Sequence, residues 1–201
     1  MKPRPEPILL DVDRYGPSAL LTPANAVTII RLLFSPALLV LVVREPSSWG
    51  AFAMWTVLAF TDGVDGHLAR KHGTTRSGAF LDPLADKVLV LGALVALVAA
   101  GRFMWFPVVL IAIRELAISA YRTRLGRSGL AVPARPLAKV KTVVQEFAVA
   151  FALLPWTVDH PTLADATLWV AVGLTLFTGA QYLLDGRAAA TTLGHNAKAA
   201  A

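Results

Sequence analysis

The stretch that decides the fold runs from residue 62 to residue 86 and reads DGVDGHLARKHGTTRSGAFLDPLAD. Its first pair of aspartates, Asp62 and Asp65, is spaced by three positions, and its second pair, Asp82 and Asp86, by four. On a helix these spacings place both members of a pair on one face. The short connection between the pairs makes the two predicted helices antiparallel neighbours, so the four carboxylates can converge at one depth.

The rest of the chain places these aspartates in a membrane protein. Of its 201 residues, 56% are hydrophobic and 16% are charged, and the mean hydropathy is +0.60. Soluble domains contain about 45–50% apolar and about 25% charged residues, and one bilayer span needs about 20 apolar residues. We therefore predict an all-α polytopic membrane protein with six transmembrane helices, at residues 22–43, 51–69, 79–100, 104–121, 142–158 and 163–184.

This pattern divides the chain into three regions. Residues 1–21 are a lead in which residues 8–21 mix apolar and charged side chains, which indicates either an amphipathic juxtamembrane helix or an extended segment. Residues 22–185 form one six-helix membrane domain. Residues 186–201 are polar and Ala-rich, and we expect a flexible tail there.

The positive charges orient the predicted bundle. With the N-terminus inside, the outer loops contain only Arg44 and Arg102 of the 19 Lys and Arg residues, and the inner loops and termini contain nearly all the others. Cytoplasmic loops carry such an excess, so we predict that both termini lie in the cytoplasm. Trp49, Trp105 and Trp156 fall near the predicted outer ends, where aromatic rings settle at the interface. The net charge of +6 then reflects loops that face anionic lipid, and we expect no nucleic-acid partner.

Four carboxylates at one depth need compensating charge. Lys87 is adjacent to Asp86 in sequence but points about 100° away from it on a helix. Carboxylate oxygens suit hard cations such as Mg²⁺, Mn²⁺ or Ca²⁺, and paired divalent ions recur in displacement at phosphorus. Gly66 and Ala69 leave room for a ligand beside the helix, and Arg70 can meet a phosphate. The alternative interpretation, helix caps or interfacial charges, explains one aspartate more readily than four in register.

The same stretch resembles a family signature. DGVDGHLAR at residues 62–70 and GAFLDPLAD at residues 78–86 are similar to the Asp-x2-Asp-Gly-x2-Ala-Arg, linker, Gly-x3-Asp-x3-Asp pattern of the CDP-alcohol phosphatidyltransferases. The linker between Arg70 and Gly78 has seven residues, where eight is commoner in the family. The resemblance implies a six-helix enzyme of the cell membrane, a homodimer, with a polar cavity open to the cytoplasm.

The resemblance also implies roles for individual residues. Two divalent ions, Mg²⁺ or Mn²⁺, would be bound by Asp62, Asp65, Asp82 and Asp86, and Asp86 would also act as general base. A wider set would hold the cytidine diphosphate part of CDP-diacylglycerol: Asn25, Thr28 and Arg31 in the first helix, and Gly66, Ala69, Arg70, Thr75 and Gly78 in the signature.

The second half of the chain indicates the acceptor alcohol. RELAIS at residues 114–119 and KVKTVVQ at residues 139–145 resemble the phosphatidylglycerophosphate synthase branch, although Ala138 stands where a glycine is usual. Arg114, Lys139 and Lys141 are the candidate ligands of a phosphate on the acceptor. An anionic acceptor such as glycerol 3-phosphate fits these cations better than a neutral or zwitterionic one.

The expected reaction is transfer of the phosphatidyl group from CDP-diacylglycerol to glycerol 3-phosphate, which gives phosphatidylglycerophosphate and CMP. Inositol phosphate, serine and phosphatidylglycerol are the alternative acceptors. Outside the family, the alternative is a small metal or ion transporter, because acidic residues inside spans also mark ion pathways. The transporter is disfavoured because the carboxylates lie near one interface rather than at the midplane, and the sequence shows no inverted repeat.

Overall fold

In a computed structural model, the structure describes residues 8–9, 23–72, 78–127, 130–131 and 135–199. Side chains within these ranges are described except at residues 8–9, 23–24, 62–72, 78–80, 130–131, 190 and 192–199. The described elements are, in order, β1 (Ile8–Leu9), α1 (Pro23–Arg44), α2 (Trp49–His72), α3 (Gly78–Ala99), α4 (Trp105–Arg127), β2 (Leu130–Ala131), α5 (Pro136–Leu153), a 3₁₀ turn (Pro155–Thr157) and α6 (Thr162–Ala199). The all-α prediction is confirmed.

Local sequence signals set several helix ends. The Ser48 hydroxyl accepts a hydrogen bond of 3.1 Å from the backbone N–H of Ala51 and so caps the start of α2. Helix α3 stops at Gly101, whose φ of +71° is in the left-handed region that glycine favours. There the Arg102 N–H bonds the Leu97 carbonyl at 2.8 Å and the Gly101 N–H bonds the Val98 carbonyl at 3.0 Å, the pattern of a Schellman cap. These signals make the bundle turn sharply between helices.

The helices pack as a bundle in which α1 and α6 each contact two neighbours. Helix α1 packs against α2 and α3, α6 packs against α4 and α5, and α5 also contacts α2 and α3. The fully buried core includes Leu38, Trp55 and Leu97. At one end the rings of Trp49 and Trp156 meet edge to face with centroids 5.5 Å apart, so the start of α2 and the turn after α5 lie together.

The bundle reverses the usual arrangement of polar and apolar side chains. Large apolar residues point outward, with Leu33 70% exposed and Phe60 76% exposed. Polar residues lie inside, with Arg31 and Thr175 fully buried. Two of the described helices contain segments long and apolar enough to cross a membrane, Asn25–Arg44 and Thr162–Ala189.

Three sequence-based boundaries differ in the structure. Residues 122–141, expected to be an inner loop, belong largely to helices, since α4 continues to Arg127 and α5 begins at Pro136. Proline suits the first position of a helix, and helices extend beyond the apolar segments that hydropathy detects. The flexible tail predicted for residues 186–201 is helical up to Ala199, because alanine has the highest helix propensity.

The N-terminal lead is described only at β1. Residues 8 and 9 pair antiparallel with β2, with Ile8 opposite Ala131 and Leu9 opposite Leu130. An amphipathic helix covering these two residues is therefore wrong, and the extended alternative is correct for them. The pairing ties the lead to the connection between α4 and α5.

Candidate active site

A cavity of about 1000 Å³ opens between the helices at the end where α3 and α5 begin. Pockets that bind small molecules usually measure about 300–1,000 Å³, so this one can enclose the head of a substrate. It brings together five of the predicted site residues with described side chains: Asp82, Asp86, Arg114, Lys139 and Lys141. The cavity therefore unites the predicted metal ligands of α3 with the predicted phosphate ligands of α4 and α5.

The carboxylate wall of the cavity lies within the first two and a half turns of α3. Asp82 and Asp86 are one helical turn apart and both line the cavity. The Thr28 hydroxyl on α1 donates a hydrogen bond of 2.8 Å to Oδ1 of Asp82. Since a hydroxyl has one proton and Asp82 has several lone pairs, the bond orients the carboxylate and leaves acceptor positions available.

Helix α1 presents a polar face towards this wall. Asn25, Thr28 and Arg31 recur every three residues and are 2%, 1% and 0% exposed. Such burial of a guanidinium and an amide in an apolar bundle is costly unless these groups have partners. The three residues lie buried on one face of α1, and Thr28 links this face to the carboxylates.

The other half of the signature lies on α2 and at the start of α3. Asp62, Asp65, Gly66, Ala69 and Arg70 belong to α2, as predicted, but their side chains lie outside the described ones. Gly78 is the first residue of α3, and Thr75 lies outside the described residues. Among the described side chains, no three of His, Asp or Glu lie together as a metal site, so a cation held by Asp82 and Asp86 would need ligands from α2 or from substrate.

The cationic wall is organised by Glu115. One oxygen of this carboxylate, Oε1, accepts hydrogen bonds from Arg114 Nη1 at 2.9 Å and from the ammonium of Lys141. Arg114 also donates from Nη2 to the Thr178 hydroxyl at 2.9 Å. The side chains of Arg114 and Lys141 are 11% and 7% exposed. Two nearly buried cations therefore share one carboxylate, and the trio has a net positive charge.

The two predicted lysines differ in their surroundings. Both belong to α5 rather than to the loop before it, and two positions on a helix turn a side chain by about 200°. Lys141 is 5% exposed and lines the same cavity as Asp86. Lys139 is exposed at the rim. Lys141 is thus placed to act inside the site and Lys139 at its mouth.

A second ion pair lies at the rim of the cavity. Arg135, directly before α5, donates two hydrogen bonds to Asp185 of α6, at 2.8 Å from Nε and 2.7 Å from Nη2. These bonds raise the pKa of the Arg135 guanidinium. Next to this pair, the Arg122 guanidinium lies 5.4 Å from the ring centroid of Tyr182. The rim therefore joins α4, α5 and α6 through charged and aromatic contacts.

Comparison with known proteins agrees with this arrangement. A family model described as CDP-alcohol phosphatidyltransferase matches residues 21–177. The chain belongs to this family. The match covers α1 to α5 and the first part of α6, and thus both walls of the cavity except for the face that α6 adds.

Several curated relatives have the same kind of name. The chain is 35% identical over 166 residues to a probable phosphatidylglycerophosphate synthase of Mycobacterium tuberculosis, which covers 80% of this chain and 79% of the relative. It is 34% identical over 177 residues to a CDP-diacylglycerol–glycerol-3-phosphate 3-phosphatidyltransferase of Bacillus subtilis, covering 79% and 91%. It is 38% identical over 169 residues to the protein of that name from Escherichia coli, covering 80% and 92%.

Sequence analysis missed the contribution of α6 to this family site. Thr178, Gln181, Tyr182 and Asp185 of α6 all line the cavity. Their spacing of three, one and three places them on one helix face. Polar residues within an apolar segment are costly in a bilayer, so this periodicity was the signal that could have found them.

Proposed function

We propose that the protein is an integral membrane enzyme that transfers the phosphatidyl group of CDP-diacylglycerol to glycerol 3-phosphate, forming phosphatidylglycerophosphate and CMP. The observation that carries the proposal is the cavity itself, in which Asp82 and Asp86 face the cationic trio of Arg114, Glu115 and Lys141. Such a site can hold a diphosphate beside one wall and an acceptor phosphate beside the other. The names of the relatives that cover most of the chain support this acceptor.

The surface of the bundle supports a location in the bilayer. Apolar residues cover its outside while its polar groups are buried, which suits a lipid environment and would be unfavourable in water. We propose six spans in the cytoplasmic membrane with both termini and the cavity on the cytoplasmic side, since 14 of the 19 Lys and Arg residues fall in the loops and termini of that side and two in the outer loops. The diacyl chains can then stay in the lipid while the head group enters the cavity. We also propose a homodimer, as the family resemblance implies.

The donor set fits a hard divalent cation. Asp82 and Asp86 offer oxygen ligands on one face of α3, and the Thr28 hydroxyl fixes the orientation of Asp82. We propose that these two carboxylates, with Asp62 and Asp65 of α2, hold Mg²⁺ or Mn²⁺, two ions per site. When bound, the cations would neutralise the diphosphate and the charge that develops on departing CMP.

The residues proposed for the nucleotide side of the site come from α1, from α2, and from the segment that leads into α3. Asn25, Thr28 and Arg31 form a buried polar face of α1 next to the carboxylates. We propose that these residues, together with Gly66, Ala69, Arg70, Thr75 and Gly78, contact the cytidine diphosphate group. Backbone packed closely against a diphosphate favours small residues such as glycine.

We assign phosphate binding and proton transfer to different residues of the protein. Arg114 and Lys141 bind the phosphate of glycerol 3-phosphate, with Lys139 at the rim, and so align its primary hydroxyl. Asp86 accepts the proton of that hydroxyl. The oxygen forms a bond to the phosphorus that bears diacylglycerol, and the bond from this phosphorus to the oxygen of CMP breaks. CMP leaves with the bonding electron pair.

The direct test is CMP release by the purified protein. CDP-diacylglycerol and Mg²⁺ are incubated with glycerol 3-phosphate, inositol phosphate, serine or phosphatidylglycerol in turn. We expect release with glycerol 3-phosphate at least tenfold faster than with the other acceptors. Asp86→Asn should abolish turnover and retain CDP-diacylglycerol binding, whereas Asp159→Asn, an exposed position far along the chain from the signature, should behave as wild type. A faster reaction with another acceptor would refute the assignment.

A further inference from the structure

Among the described residues, the cavity-lining face of α6 contains one buried polar atom without a hydrogen-bond partner. On this face Thr178 accepts a hydrogen bond from Arg114, Asp185 accepts two from Arg135, and Tyr182 lies beneath Arg122. Gln181 lies among them and lines the cavity, and its buried Oε1 atom has no hydrogen-bond partner in the described part of the chain. A buried amide oxygen left unbonded is destabilising, and such exceptions in native proteins call for an explanation.

The position of Gln181 suggests which group donates a hydrogen bond to its amide oxygen. Gln181 follows Thr178 by three residues, so the two side chains are neighbours about 5–6 Å apart on the same helix face. Thr178 holds Arg114, which we assign to the acceptor phosphate. A donor group that satisfies Gln181 therefore lies about one helical turn from that phosphate. In glycerol 3-phosphate the secondary hydroxyl is separated from phosphorus by only a few covalent bonds, and it is a hydrogen-bond donor.

We propose that Gln181 is a specificity-determining residue whose amide accepts a hydrogen bond from the secondary hydroxyl of the acceptor. This inference rests on the proposed function and narrows the acceptor to phosphorylated polyols with a hydroxyl next to the reacting carbon. The substrate is then held at its phosphate by Arg114 and Lys141, at its secondary hydroxyl by Gln181 and at its primary hydroxyl by Asp86. Three separate attachments also select one enantiomer, because the mirror image can satisfy only two of them at once.

The test compares two acceptors that differ in one group. Glycerol 3-phosphate and 3-hydroxypropyl phosphate have the same phosphate and the same primary hydroxyl, but the second compound lacks the secondary hydroxyl. We expect wild-type kcat/KM to be at least about tenfold higher for glycerol 3-phosphate. With 3-hydroxypropyl phosphate one hydrogen bond is lost and the amide oxygen of Gln181 is left unbonded. In Gln181→Met this ratio should fall to about one, through loss of activity with glycerol 3-phosphate alone.

Matched variants separate this role from a structural one. Gln145 is a buried glutamine that donates to Thr175 at 2.9 Å and does not line the cavity, so Gln145→Met should leave the ratio unchanged. Gln181→Glu keeps an acceptor oxygen and should keep the preference, even if its charge lowers both rates. Gln181→Asn withdraws the amide by one methylene and should lose the preference, which gives a second measurement if Gln181→Met is poorly folded.

The outcomes are distinguishable. If wild type uses both acceptors equally well, or if Gln181→Met and Gln181→Asn keep the wild-type ratio, the role of Gln181 is refuted while the proposed reaction stands. If wild type releases CMP with neither compound, it is the proposed function that fails. The enantiomer, glycerol 1-phosphate, provides an independent check, since wild type should discriminate against it and Gln181→Met should do so less.

Discussion

Replacing Gly179 with alanine should damage acceptor binding through Arg114. A Cβ atom at position 179 would lie 2.9 Å from Nε and 3.1 Å from Cγ of Arg114, closer than ordinary van der Waals contact. The end of the Arg114 side chain is tied to Glu115 and Thr178, so it cannot simply swing away. The guanidinium must shift by several tenths of an ångström or lose one of these bonds. Glycine at this position of α6 therefore provides the space in which Arg114 lies.

The size of the effect follows from how sensitive catalysis is to placement. A shift of about 1 Å in a positioning group can reduce the rate about a hundredfold. For Gly179→Ala we expect kcat/KM for glycerol 3-phosphate to fall about ten- to a hundredfold, equivalent to about 1.4–2.7 kcal/mol. The KM for CDP-diacylglycerol should change less than about twofold, since the carboxylate wall is on α3. The assay is CMP release in detergent micelles with each substrate varied in turn.

The same helix offers a matched control. A Cβ atom at Gly173 would have no atom within 4 Å, so Gly173→Ala makes the same chemical change six positions earlier on α6 without a collision. It should leave both KM values unchanged and should stabilise the helix by up to about 1 kcal/mol. If Gly179→Ala behaves like Gly173→Ala, or raises both KM values equally, then Arg114 is not held by α6 in the way the packing indicates.

Two further predictions concern the walls of the cavity. Thr28→Val keeps the side-chain shape but removes the hydroxyl that orients Asp82, so CMP release should need a severalfold higher Mg²⁺ concentration for half-saturation. Thr28→Ser, which keeps the hydroxyl, should give the wild-type Mg²⁺ titration curve. Identical curves for all three proteins would contradict this role of Thr28. Lys141→Ala removes a buried partner of Glu115 and should raise the KM for glycerol 3-phosphate more than about tenfold. Lys139→Ala, at the exposed rim, should raise this KM only a few-fold. A larger effect of Lys139→Ala than of Lys141→Ala would contradict the assignment of Lys141 to the interior of the site and Lys139 to its rim.

The parts of the site that sequence predicted well depend on spacing within single helices. Asp82 and Asp86 are four positions apart, and Asn25, Thr28 and Arg31 are three apart, so helical geometry alone places each group on one face. Both predictions needed only that the segments be helical, and the apolar content of the segments indicates this. The hydrogen bond between Thr28 and Asp82 is a contact between helices, and the residues at its two ends were predicted although the bond was not.

The parts that sequence could not predict depend on how helices are placed against each other. Arg114 was predicted as a ligand of the acceptor phosphate, but the sharing of Glu115 with Lys141 depends on α4 lying beside α5. The hydrogen bond from Arg114 to Thr178 and the space that Gly179 leaves for the Arg114 side chain depend likewise on the placement of α6. Hydropathy also misplaced the start of α5 because it measures apolar content, whereas Pro136 and the residues after it are helical and partly polar.

The charge balance of the cationic wall bears on the choice of acceptor. Arg114 and Lys141 are nearly buried and share the single negative charge of Glu115, so these three side chains together have one excess positive charge. An uncompensated buried charge is costly, and a ligand that compensates it gains more there than in water. A phosphate monoester has up to two negative charges and can bond both cations at once. A zwitterion such as serine brings an ammonium group that the cations repel. The arrangement of these three side chains therefore favours a phosphorylated acceptor over a neutral or zwitterionic one, for a reason independent of the names of the relatives.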